Sequence, residues 1–110
     1  MATTSTPNTK HTFAVWAPDY TDPEAAQRRL AIRAEHLEGI KRLVGEGFIK
    51  YGGPVADPES KILNGSLLVV EAESAAAARA VLEKDPYWAN NVWDKENLEV
   101  RSIDVGVNVR

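Results

Sequence analysis

Two arginines and a histidine fall at helical spacing near the start of the chain. Arg29, Arg33, His36 and Ile40 follow i, i+4, i+7 and i+11, the rhythm that lines residues along one face of an α-helix. Leu30, Ala34, Leu37, Lys41 and Val44 repeat the rhythm one position on. The segment therefore predicts an apolar seam bordered by two guanidiniums and an imidazole. A helix that serves only a core has no need of such a border. Guanidinium forks suit planar oxyanions, and an imidazole exchanges a proton near neutrality. The combination points to an anionic or enolisable small molecule. The plain structural alternatives are ion pairs for the arginines, such as Arg33 with Glu24, Glu35 or Glu38, and a hydrogen-bonded structural role for His36. Arg28 reads as their solvated neighbour.

Secondary structure must place this stripe. His11 to Trp16 is a strand candidate, apolar on both faces. Asp22-Pro23-Glu24 reads as a helix start, with Asp as N-cap and Pro at the first helical position. The helix should run to about Glu46, weakened at Gly39 and ended by Gly45 or Gly47. Phe48 to Tyr51 is a second strand, interrupted at Gly52-Gly53-Pro54 by a bulge or a close backbone approach. After turn signals in Asp57 to Asn64, Gly65 to Glu71 is a third strand and completes a hairpin. Ser74 caps a second helix to Lys84, and Asp85-Pro86-Tyr87-Trp88 breaks it into a short irregular or single-turn segment. Asn97 to about Val105 is a fourth strand whose change of apolar phase suggests a bulge near Arg101-Ser102.

The order β-α-β-β-α-β predicts an α+β, ferredoxin-like fold, an antiparallel four-stranded sheet with two helices on one face. Leu67 to Val70 is continuously apolar, and so is the first strand, whereas a sheet with one wet face should alternate. A homodimer packed sheet to sheet is the economical expectation.

Composition narrows the function. One hundred and ten residues suit one compact domain, expected over 11–110. The first ten, rich in Thr, Ser and Pro, read as a disordered tail on a cytoplasmic protein. A net charge of −3 without a basic run speaks against nucleic acid. The absence of cysteine removes disulfides, thiolate catalysis and Cys-based zinc sites. No apolar run is long enough to span a bilayer. Only His11 and His36 are available as imidazole ligands, and they sit in different elements, so no metal site is expected. Gly52-Gly53-Pro54 lacks the helix start and Lys of a phosphate loop.

The run Arg-Leu-Ala-Ile-Arg-Ala-Glu-His-Leu at 29–37, then Glu46-Gly47, Gly53-Pro54, Gly65-Ser66 and Asp85-Pro86-Tyr87, resembles the YciI-like (YCII-related) family. The likeness covers about residues 11–105, and its motifs are specific as an ordered set rather than singly. The resemblance implies a dimeric α+β barrel and an active site built on a His–Asp pair. By position the histidine is His36 and the aspartate Asp85, with Arg29, Arg33, Gly53, Pro54, Ser66 and Tyr87 also matched. The N-terminal extension, the Trp88–Trp93 segment and the Val-rich C-terminus depart from the compact form.

Under that reading His36 and Asp85 are the catalytic candidates, the carboxylate orienting the imidazole. Asp before Pro is equally a normal helix cap. Arg29, Arg33, Ser66 and Tyr87 are the substrate-binding candidates. Tyr87, Trp88 and Trp93 line an aromatic pocket or fill the core. The expected activity is cofactor-independent proton transfer of the isomerase, lyase or cyclase type, on a cyclic or aromatic carbonyl or phenol. The alternative is a non-catalytic dimer that holds a metabolite in the same cleft.

Overall fold

A computed structural model describes residues 10–104. The expected N-terminal tail and the Val-rich C-terminus therefore lie outside the described residues, apart from Lys10. The elements are β1 (His11–Pro18), α1 (Ala25–Gly45), β2 (Ile49–Ala56), β3 (Leu63–Ala72), α2 (Ala75–Leu82), α3 (Pro86–Ala89) and β4 (Glu99–Ser102). The sheet order is β2-β3-β1-β4, with every neighbouring pair antiparallel. This is the expected α+β, ferredoxin-like arrangement.

Period-2 patterning explains the central strands. Phe13, Val15 and Ala17 of β1 and Leu68, Val70 and Ala72 of β3 point to one face and are buried with Leu43, Ala78 and Leu82 from the helices. Ala14, Trp16, Leu67 and Val69 occupy the other face, on which Leu67 is 43% exposed. Gly65 is required there, because a Cβ would lie 2.6 Å from Cη2 of the Trp16 ring.

The helix ends follow local chemistry. α1 stops at a Schellman motif: Gly47 is left-handed at φ 85°, its N–H donates to Val44 O, and Phe48 N–H donates to Leu43 O. Ser74 Oγ accepts from Ala77 N–H at 3.0 Å and caps α2.

Several expectations shift. α1 begins at Ala25, and Glu24, not Asp22, occupies its N-cap position. Asp22 instead turns back to accept from Glu24 N–H and from both Nη groups of Arg28. Arg28 is thus no mere solvated neighbour, since Nε and Nη2 also donate to Asn91 O. The helix passes Gly39 unbroken. β2 runs straight through Gly52-Gly53-Pro54, and its irregularities fall between Ile49 and Tyr51 and between Val55 and Ala56. Pro54 is tolerated because β2 is an edge strand. The close approach is real: a Cβ on Gly52 would sit 2.5 Å from Leu67 O. β4 pairs with β1 without a register shift through Ser102, so the bulge expected near Arg101 is not there. It starts at Glu99 because Asn97 is held in a turn by Asp94.

Candidate active site

The buried stripe on α1 mixes apolar residues with a guanidinium and an imidazole. Ala25, Arg29, His36 and Leu43 are its buried residues. Leu30 and Val44, from the row that was expected to form the apolar seam, are 75% and 52% exposed. The helix turns Arg29 and His36 inward beside Ala25 and Leu43, while Arg33 stays exposed. Burial of such groups is costly unless each finds a partner, and both do.

His36 Nδ1 lies 2.8 Å from Asp85 Oδ1, and both side chains are buried. Asp85 is the N-cap of α3, with Pro86 in its first turn, and the same Oδ1 accepts from Tyr87 N–H at 2.8 Å. The capping and orienting readings of Asp85 are therefore one arrangement, in which the cap aims the carboxylate at the imidazole. With Nδ1–H donated to Asp85, Nε2 keeps a lone pair.

The ring of Tyr87 stacks on His36 with centroids 3.7 Å apart and 6° between planes. Trp93 meets both rings edge-on, at 5.9 Å and 5.8 Å. The guanidinium of Arg29 lies 4.9 Å from the centroid of Tyr87. These contacts leave the imidazole little freedom to turn. Burial raises the Tyr87 phenol above its usual range, against the opposing pull of Arg29 and Arg33.

Arg29 is committed elsewhere. Its Nε donates to Asp19 Oδ2 at 2.8 Å, and Nη2 donates to Gly65 O at 3.0 Å and Ser66 Oγ at 3.3 Å. Trp93 Nε1–H also donates to Ser66 Oγ. The hydroxyl thus accepts twice and retains its own proton to donate. Asp19 is buried, and its Oδ1 has no hydrogen-bond partner among the described residues. Desolvation pushes the Asp19 carboxyl up from its ordinary value, while the Arg29 hydrogen bond and the charges of Arg29 and His36 pull it down.

A cavity of about 410 Å³ opens between α1 and β2. Arg29, Arg33, His36, Ser66 and Tyr87 all line it, as do Gly53 and Pro54. Five of the six sequence-predicted residues thus face one space, and Asp85 stands directly behind His36. Arg33 is exposed, and none of the glutamates offered as partners pairs with it. Trp88 is not part of the cavity wall; Arg79 and Lys95 lie over its ring. Trp93 is fully buried behind the stack. Asp19 was missed by sequence reasoning: an acidic residue just past a strand reads as loop, and nothing in its spacing announces Arg29. Among the described residues no three of His, Asp and Glu gather as a metal site, and no helix is long and apolar enough to cross a membrane.

Residues 12–102 match the model of the YCII-related domain. The chain belongs to the YCII-related family. It is 32% identical to Protein YciI of Escherichia coli over 79% of this chain and 92% of that protein. It is 30% identical to Aspercryptin biosynthesis cluster protein B of Emericella nidulans over 71% of this chain, though only 54% of that longer protein. Among solved structures, this YCII-related chain is similar to the 5-chloro-2-hydroxyhydroquinone dehydrochlorinase of Burkholderia phenoliruptrix, in complex with 2,5-dihydroxybenzoquinone. The TM-score is 0.70 and the identity 26%, over 86% of this chain and 95% of the other.

Proposed function

We propose that this protein is a cofactor-independent enzyme that moves a proton on a cyclic or aromatic carbonyl or phenol. The observation that carries the reading is the buried His36–Asp85 hydrogen bond at the wall of a cavity. The neutral imidazole takes a proton at Nε2, from a phenol or from the carbon beside a carbonyl. Asp85 stabilises the imidazolium that forms. The electron pair moves onto the carbonyl oxygen as an enolate, or stays on the phenolic oxygen. Arg33 and the Ser66 hydroxyl, both in the cavity lining, would meet that charge. Return of the proton at another atom gives isomerisation, and departure of a leaving group gives elimination. Kinship with a dehydrochlorinase of hydroxylated rings supports the same substrate class.

The proposed assembly is a homodimer joined through the outer sheet face of Ala14, Trp16, Leu67 and Val69, which would close a dimeric α+β barrel.

Deuterium uptake from heavy water into hydroxyquinones and cyclic ketones, followed by proton NMR, tests the chemistry. The expected result is protein-dependent exchange that falls by roughly 10²-fold or more in His36→Ala. Exchange that survives His36→Ala overturns the mechanism. Tight ligand binding with no exchange on any compound would instead favour the metabolite-binding alternative.

A further inference from the structure

The charges around the cavity are not balanced. Among the described residues no carboxylate lines it, while Arg29, Arg33 and Lys50 do. Arg29 is neutralised by Asp19 and spends two nitrogens on Asp19, Gly65 and Ser66. Lys50 Nζ lies 3.5 Å from Glu71. Arg33 has no hydrogen bond or ion pair among the described residues. One uncompensated positive charge therefore faces the space, which favours a ligand carrying one negative charge.

The lining changes character along its elements: on α1 it passes from Arg29, Arg33 and His36 to Ile40 and Val44, and on β3 from Ser66 to Leu68. From that order Arg33, His36, Ser66 and Tyr87 are taken as a polar end, and Leu37, Ile40, Val44, Ile49 and Leu68 as an apolar bay. An apolar cavity of about 150 Å³ holds one benzene ring, and this space measures about 410 Å³. A single dihydroxylated ring at the polar end would leave the bay unfilled.

We infer that the cavity takes a hydroxyaromatic monoanion of two or more rings, with its charged group against Arg33 and its further ring in the bay of Ile40, Val44 and Leu68. This deepens the enzyme reading above and rests on it for the placement of the reacting oxygen.

Calorimetric titration at physiological salt and neutral pH, with three probes, tests it: 1-hydroxy-2-naphthoate (two rings, anionic), salicylate (one ring, anionic) and 2-naphthol (two rings, uncharged). Hydroxynaphthoate should bind at least about tenfold more tightly than either of the others. Arg33→Gln should bring it down to the level of naphthol. Val44→Trp, at an exposed position that tolerates bulk, should fill the bay and close the gap between hydroxynaphthoate and salicylate. Ile40→Phe repeats that test from a second position, and circular dichroism verifies both folds. Equal binding of the one-ring and two-ring anions, a charge preference that survives Arg33→Gln, or no binding of any probe overturns the inference. If the ranking holds also in His36→Ala but no variant or wild type exchanges deuterium, the catalytic reading fails and the ligand class stands. If exchange occurs but the ranking is absent, only the ligand class fails.

Discussion

Asp85 Oδ1 accepts hydrogen bonds from the imidazole and from the first turn of α3, so charge and shape can be separated by substitution. Asn is as good a cap as Asp, and its carbonyl oxygen can accept both donors. Asp85→Asn should therefore change the unfolding free energy by less than about 1 kcal/mol while lowering proton exchange by 10²- to 10⁴-fold, because the imidazolium loses its counter-charge. Asp85→Ala should lose exchange and also about 1–3 kcal/mol, from the missing cap and a buried imidazole N–H without a partner. Urea unfolding beside the exchange assay reads both; a large stability loss in Asp85→Asn would show that the ionised carboxylate is structural. The pairing of His36 with Asp85 was legible through family-like motifs, not through spacing, because 49 residues separate them. Asp19 was not legible at all. Its partner is ten residues away across a loop and a helix turn, and burial, which makes the pair matter, is a property of the folded chain. Arg33 could be placed on the stripe from sequence, but its lack of a partner could not.

α1 shows why patterning alone misleads at a site. Its rhythm was read correctly, yet Arg29 and His36 share the buried face with Ala25 and Leu43 while Leu30 and Val44 are exposed. Hydrophobic patterning assigns apolar residues to the core by default; here Asp19, Asp85 and the Tyr87 ring make burial of Arg29 and His36 tolerable. α2 and the hairpin hold no such compensation and were legible to within a few residues. β2 is the element in which local strain and the cavity meet. At Gly52, φ is 155°, and an added Cβ would press on the carbonyl of Leu67 and on the Leu68 side chain. Gly52→Ala should push β2 away from β3, cost about 1–3 kcal/mol, and weaken hydroxynaphthoate binding, since Gly52 and Leu68 both line the cavity. Urea midpoints and titration on the same sample measure the two effects. An unchanged midpoint would show that β2 shifts freely and that its register is not fixed at this residue.

For the fold as a unit, the α+β, ferredoxin-like arrangement followed from the element sequence, since short connections and alternating faces leave few topologies. The second sheet face was read as apolar from Leu67–Val70, and Ala14, Trp16, Leu67 and Val69 do share it. In the single chain Leu67 on that face is 43% exposed. If a second copy covers it, sedimentation should give twice 12.1 kDa at micromolar concentration, and Leu67→Asp should return the monomer with its secondary structure intact. A wild type that sediments as a monomer would sink the dimer.

β2 lies at the rim of the sheet, so the cavity has one wall whose strand is paired on one side only and one packed in the interior. The buried His36–Asp85 and Arg29–Asp19 pairs are held by α1, α3 and the residue after β1, while part of the cavity wall is a peripheral strand. Changes at Lys50 or Tyr51 would therefore reshape that wall while leaving the His36–Asp85 pair in place.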